Sequence, residues 1–129
     1  MSVDLQMLMW TAVLCVLLAF PYTLGLIGGV GLGKAASYPQ PGHDSLPDWV
    51  QRSKRCHMNL IENIAPFAIL VLVAHVAGKA NATTALASQI FFYSRLAMVV
   101  GHTGGIPYLR TVAWAVSLAA LVMILLQIL

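Results

Sequence analysis

The sequence predicts an all-α fold, an integral membrane four-helix bundle. Three observations carry that prediction: a composition too apolar for water, four long apolar segments parted by proline and glycine, and one helix start crowded with polar groups. Of 129 residues, 60% are hydrophobic and only 9% are charged, against roughly 25% charged in an ordinary soluble domain. Seven basic and four acidic side chains do not cover the surface of a water-soluble domain this small. Four spanning helices of ~20 residues use ~80 positions and leave the remainder for ends and three short loops. The formal charge of +3 raises the question of nucleic acid. Basic residues scattered over four hydrophobic segments form no dense patch, however, so no nucleic-acid partner is expected. The positive balance reads as membrane topology.

The first apolar segment covers about residues 3–32. Met1-Ser2-Val3-Asp4 lacks a basic residue and no small-residue cleavage site follows, so the segment reads as a retained helix rather than a secretory signal. Pro21 lies inside it and should kink it. Gly25, Gly29 and Gly33 recur at every fourth position, which places them on one ridge, as small residues are placed where helices approach closely. Lys34 to Pro47, with Tyr38, Pro39, Gln40, Pro41, Gly42, His43 and Asp44, is the main loop. Asp44 or Ser45 offers a cap, and Pro47 a first-turn residue, for a second helix over about 47–77. Gly78 to Asn81 form a tight turn, and Thr83 or Thr84 opens a third helix over about 83–103. Gly104-Gly105 ends it, and Pro107 opens a fourth over about 106–129. Residues 1–129 then form a single transmembrane domain. Cys15 and Cys56 are the only cysteines and signal no disulfide framework.

The stretch from Arg52 to Phe67 carries the chemistry. Arg55, Asn59, Glu62 and Pro66 stand at i, i+4, i+7 and i+11, on one stripe of a helix. An ionisable residue that far into a span marks a site and needs a partner. Glu62 lies ~10 Å deeper than Arg55, and Arg95 lies ~10 Å deeper than His102 on a helix running the other way, so Glu62 and Arg95 are expected to pair. Arg55, His57 and His102 share the boundary level, and Arg110 joins them near the start of the fourth helix. Three chemistries compete for this cluster. A metal site would use His57, His102 and Glu62, but His57 is rotated about 200° from Arg55 and has no i+3 or i+4 ligand, so no metal is expected. Cys56 is flanked by Arg55 and His57, which would favour a reactive thiolate, yet sequence neighbours on a helix point in different directions. An anionic ligand held by Arg55, Arg95 and Arg110, with Lys54 nearby, uses most of the cluster.

The pattern Arg55-x-His57-x-Asn59-x-x-Glu62-x-x-x-Pro66-Phe67, followed by Arg95, Pro107 and Arg110-Thr111 in four apolar segments, resembles the MAPEG family, the membrane-associated proteins in eicosanoid and glutathione metabolism. The resemblance implies a homotrimer with glutathione, as co-substrate, bound between adjacent protomers near the cytoplasmic face. By position, Arg55, Asn59 and Glu62 match glutathione-contacting residues, and His57 matches a position contributed by the neighbouring protomer. Arg110 matches the arginine that stabilises the glutathione thiolate and is the catalytic candidate. Arg95 and His102 complete the candidate glutathione-binding set. His102 stands where active members commonly have a tyrosine, and Asn63 where some have an aromatic residue. The implied activity is a glutathione-dependent transferase or peroxidase acting on lipophilic electrophiles, with a lipophilic small molecule or lipid as the second partner. The alternatives are a non-catalytic member that binds a lipid or a membrane partner, and a small transporter or channel subunit, which would also place ionisable residues among its helices.

Basic residues set the orientation. Lys34, Arg52, Lys54, Arg55 and Arg110 flank loops one and three, while Lys79 alone flanks loop two, so loops one and three are expected on the cytoplasmic side and both termini on the opposite side. Asn81-Ala82-Thr83 is formally a glycosylation sequon on that opposite side, but so short a turn against the membrane argues against its use. Single cysteines introduced at Gln40 and at Ala80 in a cysteine-free background should label from opposite faces of sealed vesicles. Equal labelling of both from outside would refute the orientation.

Overall fold

The computed structural model describes residues 1–38 and 46–129. Among them the chain is helical throughout, as α1 (Val3–Val30), the short α2 (Leu32–Ala35), α3 (Asp48–Val76), α4 (Ala82–Gly104) and α5 (Pro107–Ile128). The caps expected from Asp44 or Ser45, with most of the main loop, lie outside the described residues. Pro47 stands at the N-cap of α3 in an extended conformation, φ −53° and ψ 151°, rather than in the first turn. Helix α1 continues through Pro21. Asn81, not a threonine, caps α4: its side chain accepts from the Thr84 N–H at 3.0 Å while the Thr84 hydroxyl accepts from the Asn81 N–H at 2.9 Å, a reciprocal capping box. The Asn81 amide also donates to Gln127 Oε1 at 2.8 Å, tying the start of α4 to the end of α5. The sequon asparagine is thus engaged at both ends of its side chain.

The chain is an integral membrane protein. Among the described residues three helices, α1, α3 and α5, are long and apolar enough to cross a membrane, where four such spans were expected. Helix α4 differs because its sequence mixes Thr84, Ser88, Ser94, Arg95 and His102 into the apolar residues, and all five are buried. It packs against α1, α3 and α5, so its polar positions are shielded by protein rather than exposed to lipid, where they would be costly. Ser88 and Ser94 satisfy their hydroxyls on the α4 backbone, donating to the Thr84 and Phe91 carbonyls at 2.8 Å each.

Packing divides the molecule into two ends. At one end, Phe67, Val71 and Ala74 of α3, Ala87 and Phe91 of α4, and Ala120, Leu121 and Ile124 of α5 form the largest apolar cluster. Phe67 stacks on Phe91 with ring centroids 4.0 Å apart. At the other end, Leu26 of α1 packs with Ala35 of α2, Leu46 and Val50. The glycine ridge of α1 is realised there in part. A β-carbon at Gly25 would stand 2.6 Å from Val50 Cγ2, and one at Gly29 would collide with Leu46, whereas Gly33 faces open space. The first two glycines let the chain entering α3 lie directly against α1; the third serves no contact among the described residues.

Between these ends Arg95 crosses the core. It is only 2% exposed, and it does not meet Glu62 as expected. Its Nη2 donates to Asn59 Oδ1 and its Nη1 to Ser117 Oγ at 3.2 Å, while the guanidinium lies 5.8 Å from the Phe91 ring centroid. Asn59 stands nearly one turn closer than Glu62 to the polar start of α3, so the long arginine stem runs toward the wetter end and finds Asn59 first. Glu62 is left on the exposed edge of α3. Asn59→Ala should therefore cost about 1.5–3 kcal/mol, because it strands a buried guanidinium. Adding Arg95→Met should cost less than the sum of the two single changes, since the stranded group is then gone. Thermal unfolding of the four proteins in one detergent checks this; additive effects would show that the two side chains are uncoupled.

Candidate functional site

Where α3 begins, α4 ends and α5 begins, the three helices enclose an open cleft of about 470 Å³. Helix α3 contributes Arg55, Met58, Asn59 and Glu62, helix α4 contributes Met98 and His102, and helix α5 contributes Arg110, Thr111 and Trp114. Each set repeats at three or four residues, the spacing that keeps side chains on one helix face. The turn between α4 and α5 controls where Arg110 falls. Gly105 takes φ +67°, the left-handed C-cap conformation that glycine reaches at no steric cost. Gly101 lies so close to α5 that an added β-carbon would stand 3.1 Å from the Arg110 backbone nitrogen. The turn and the close helix contact together bring Arg110 against the end of α4.

The cleft is amphiphilic. Arg55 and Arg110 supply two guanidinium groups and Glu62 one carboxylate. All three side chains are exposed, and none has a hydrogen-bonding partner among the described residues. Asn59 is different: its oxygen accepts from Arg95, and its backbone carbonyl accepts from Asn63 Nδ2 at 2.7 Å. Its orientation is therefore set from behind the wall. Met58, Met98 and Trp114 form the apolar part of the same surface. A volume of this size falls within the ~300–1,000 Å³ common for small-ligand sites, and six polar residues share its lining with three apolar ones. Free cations beside an apolar wall suit an anionic peptide-sized ligand next to an apolar molecule.

Of the residues selected from sequence, Arg55, Asn59, Glu62, His102 and Arg110 line the cleft together. Arg95 lies behind it and reaches it only through Asn59. His57 is placed elsewhere. It is 8% exposed and faces α1, where the Tyr22 hydroxyl lies 2.8 Å from its Nδ1 and Cys15 Sγ lies 3.8 Å from its Nε2. The rotation of about 100° per residue that sets Arg55 toward the cleft turns His57 away from it. Cys56 is buried with Leu18 and Leu60 and lines no part of the cleft. Among the described residues, no three His, Cys, Asp or Glu side chains come together as a metal site would require.

Sequence reasoning missed Met58, Met98, Trp114 and Tyr22. The first three stand at i+3 from Arg55, i−4 from His102 and i+4 from Arg110, so the same periodicity could have found them. They escaped notice because an apolar residue in an apolar helix offers no contrast.

Comparison with curated proteins returns no match for this chain. Comparison with protein families matches residues 7–129 to the sequence model of the MAPEG family. The match covers most of α1, the whole of the other helices and every residue of the cleft, and the chain belongs to the MAPEG family.

Proposed function

We propose that the protein is a glutathione-dependent membrane enzyme, a transferase or peroxidase that joins glutathione to lipophilic electrophiles or uses it to reduce them. Family membership fits a membrane role in glutathione or eicosanoid metabolism. The observation that carries the finer reading is the convergence of Arg55, Asn59, Glu62, Arg110 and Thr111, from two separate helices, on one cleft. These are the positions that match the family's glutathione motif. In this reading loops one and three face the cytoplasm, and the protein assembles as a homotrimer in which a neighbouring copy covers the open side of the cleft. The exposed carboxylate of Glu62 supports such a cover, because an ionisable group on a spanning helix is costly against lipid.

Glutathione supplies the nucleophilic thiol. Arg55 holds a carboxylate of the peptide by a charge-assisted contact, and Glu62 pairs with its amine. Asn59, oriented by Arg95, offers a fixed amide to the peptide backbone. Arg110 faces the sulfur and favours its anionic form by direct charge attraction. Met58, Met98 and Trp114 receive the apolar substrate, which arrives from the lipid between helices. The residues thereby position two reactants and stabilise the developing anion, without donating an electron pair of their own. His102, at the place of the family tyrosine, is the feature that favours the second reading, a member that binds glutathione or a lipid without turnover.

Arg110 separates these readings. Arg110→Ala should leave glutathione binding largely intact by calorimetry while raising the thiol pKa of the bound peptide, since a positive charge that favours the thiolate is gone. Turnover of a generic electrophile should fall roughly 10²–10³-fold, the usual loss on removing one anion-stabilising donor. Arg110→Lys should recover only part, because a compact ammonium does not reproduce the planar fork. The measurement is thiolate absorbance of bound glutathione against pH, with the rate followed in parallel. Binding with no turnover in the unmodified protein would establish the second reading, and an unchanged titration and rate in Arg110→Ala would take Arg110 out of the mechanism and leave it a topology signal.

A further inference from the structure

Beside the cleft lies a second, smaller cavity of about 170 Å³ that shares Arg55, His102 and Arg110 with it and adds Arg52, Gly105 and Pro107. Among the described residues no acidic side chain lines it. His102 is only 6% exposed and lies beside the Arg52 backbone, yet among the described residues its Nε2 is buried without a hydrogen-bond partner, and so is Arg52 Nε. Two buried polar atoms left unsatisfied on one small cavity are uncommon, and such groups normally meet protein, water or a ligand. Arg52 reaches this place deliberately. Its Nε and Cζ lie 3.9 Å from where a β-carbon of Gly105 would stand, so its guanidinium spans from α3 to the α4–α5 turn. Pro107 is the first residue of α5, and that helix has no side-chain cap, which leaves the positive end of its dipole uncompensated at the same point.

We propose that this notch is a binding site for a phosphate group, held by Arg52, Arg55, Arg110 and His102 beside the start of α5. The donors come from three helices and surround the cavity, whereas a carboxylate presents both oxygens in one plane. A tetrahedral phosphate presents oxygens in several directions and meets donors on every side. The space admits one phosphate with a few waters, each water occupying ~30 Å³ of liquid volume. The phosphate has two possible sources, free phosphate in solution or the headgroup of an anionic phospholipid whose tails remain in the bilayer, because the notch lies where three helices end. Arg55, His102 and Arg110 line both the notch and the larger cleft, whereas Arg52 lines the notch alone, so Arg52 is the donor that tells the two sites apart, and the phosphate proposal does not rest on the glutathione reading.

The test uses the full chain. Inorganic phosphate is titrated into protein in a neutral detergent and followed by ³¹P resonance shift and broadening. Separately, protein in phosphatidylcholine nanodiscs doped with phosphatidic acid is transferred to detergent and its retained lipid identified by native mass spectrometry. Saturable binding of inorganic phosphate supports a free-phosphate site, and selective retention of phosphatidic acid supports a headgroup site. In either case Arg52→Gln should weaken binding roughly tenfold, the usual loss of a charge-assisted contact, with Arg52→Lys between the two. Glutathione binding, measured by calorimetry on the same samples, should be unchanged in Arg52→Gln, and the unfolding temperature of each variant shows that it is folded. The proposal is overturned if neither probe binds, or if Arg52→Gln binds phosphate as the unmodified protein does. It is equally overturned if Arg52→Gln weakens glutathione and phosphate together, which would make the notch an arm of the larger cleft. Phosphate binding without glutathione binding would instead remove the proposed enzymatic function and leave the notch standing.

Discussion

Arg95 keeps a guanidinium where water does not reach, at 2% exposure inside a membrane protein, and most of the architecture follows from how that group is satisfied. Its two hydrogen bonds go to different helices, to Asn59 of α3 and Ser117 of α5, with the Phe91 ring of its own helix below. A charged group in a low-dielectric interior demands partners at short range, so these bonds constrain the relative depth of α3, α4 and α5. They also turn the Asn59 amide to a single orientation. A core requirement and a binding-site requirement are met by the same contact.

Helix α4 explains how so polar a segment is carried among apolar ones. Thr84, Ser88, Ser94, Arg95 and His102 are buried, and α4 packs on all three of the other long helices. Toward its start the small Ala87 lets Phe67 and Phe91 stack at 4.0 Å in a dry cluster. Toward its end it carries Arg95 and His102, and Gly101 and Gly105 bring α5 close. The hydroxyls near its start are closed on the α4 backbone, whereas Arg95 and His102 face the other helices, and that difference separates the packed end from the end that opens into a cleft.

Helix α1 stands apart from that cleft and contributes differently. The Tyr22 hydroxyl meets His57 at 2.8 Å, and Gly25 and Gly29 accept Val50 and Leu46 against the helix. Both contacts act on the first turns of α3, the part that also carries Arg52 and Arg55. The polar start of α3 is thus held on one side by α1 and faces the cleft and the notch on the other. A helix whose outer face is almost wholly apolar still positions charged residues, through the few places where it is polar or small.

The amino-acid sequence by itself determined the class of the protein, because so few charges force the helices into lipid, and it determined where the last two helices meet, because Gly104-Gly105 and Pro107 act locally on the backbone. The stripe of Arg55, Asn59 and Glu62 was legible for the same reason: helical periodicity fixes angle and depth along a single helix. Partnership across helices was not legible. That Arg95 meets Asn59 rather than Glu62, that His57 faces Tyr22, and that Arg52 joins His102 beside the α4–α5 turn depend on the rotation and offset of one helix against the next. Those quantities come from how Phe67 stacks on Phe91, how Gly101 admits α5 and how Gly25 admits Val50, all of them contacts between one helix and another. Only the tertiary structure decided them, since side-chain reach of a few ångströms is resolved by packing and not by spacing along the chain.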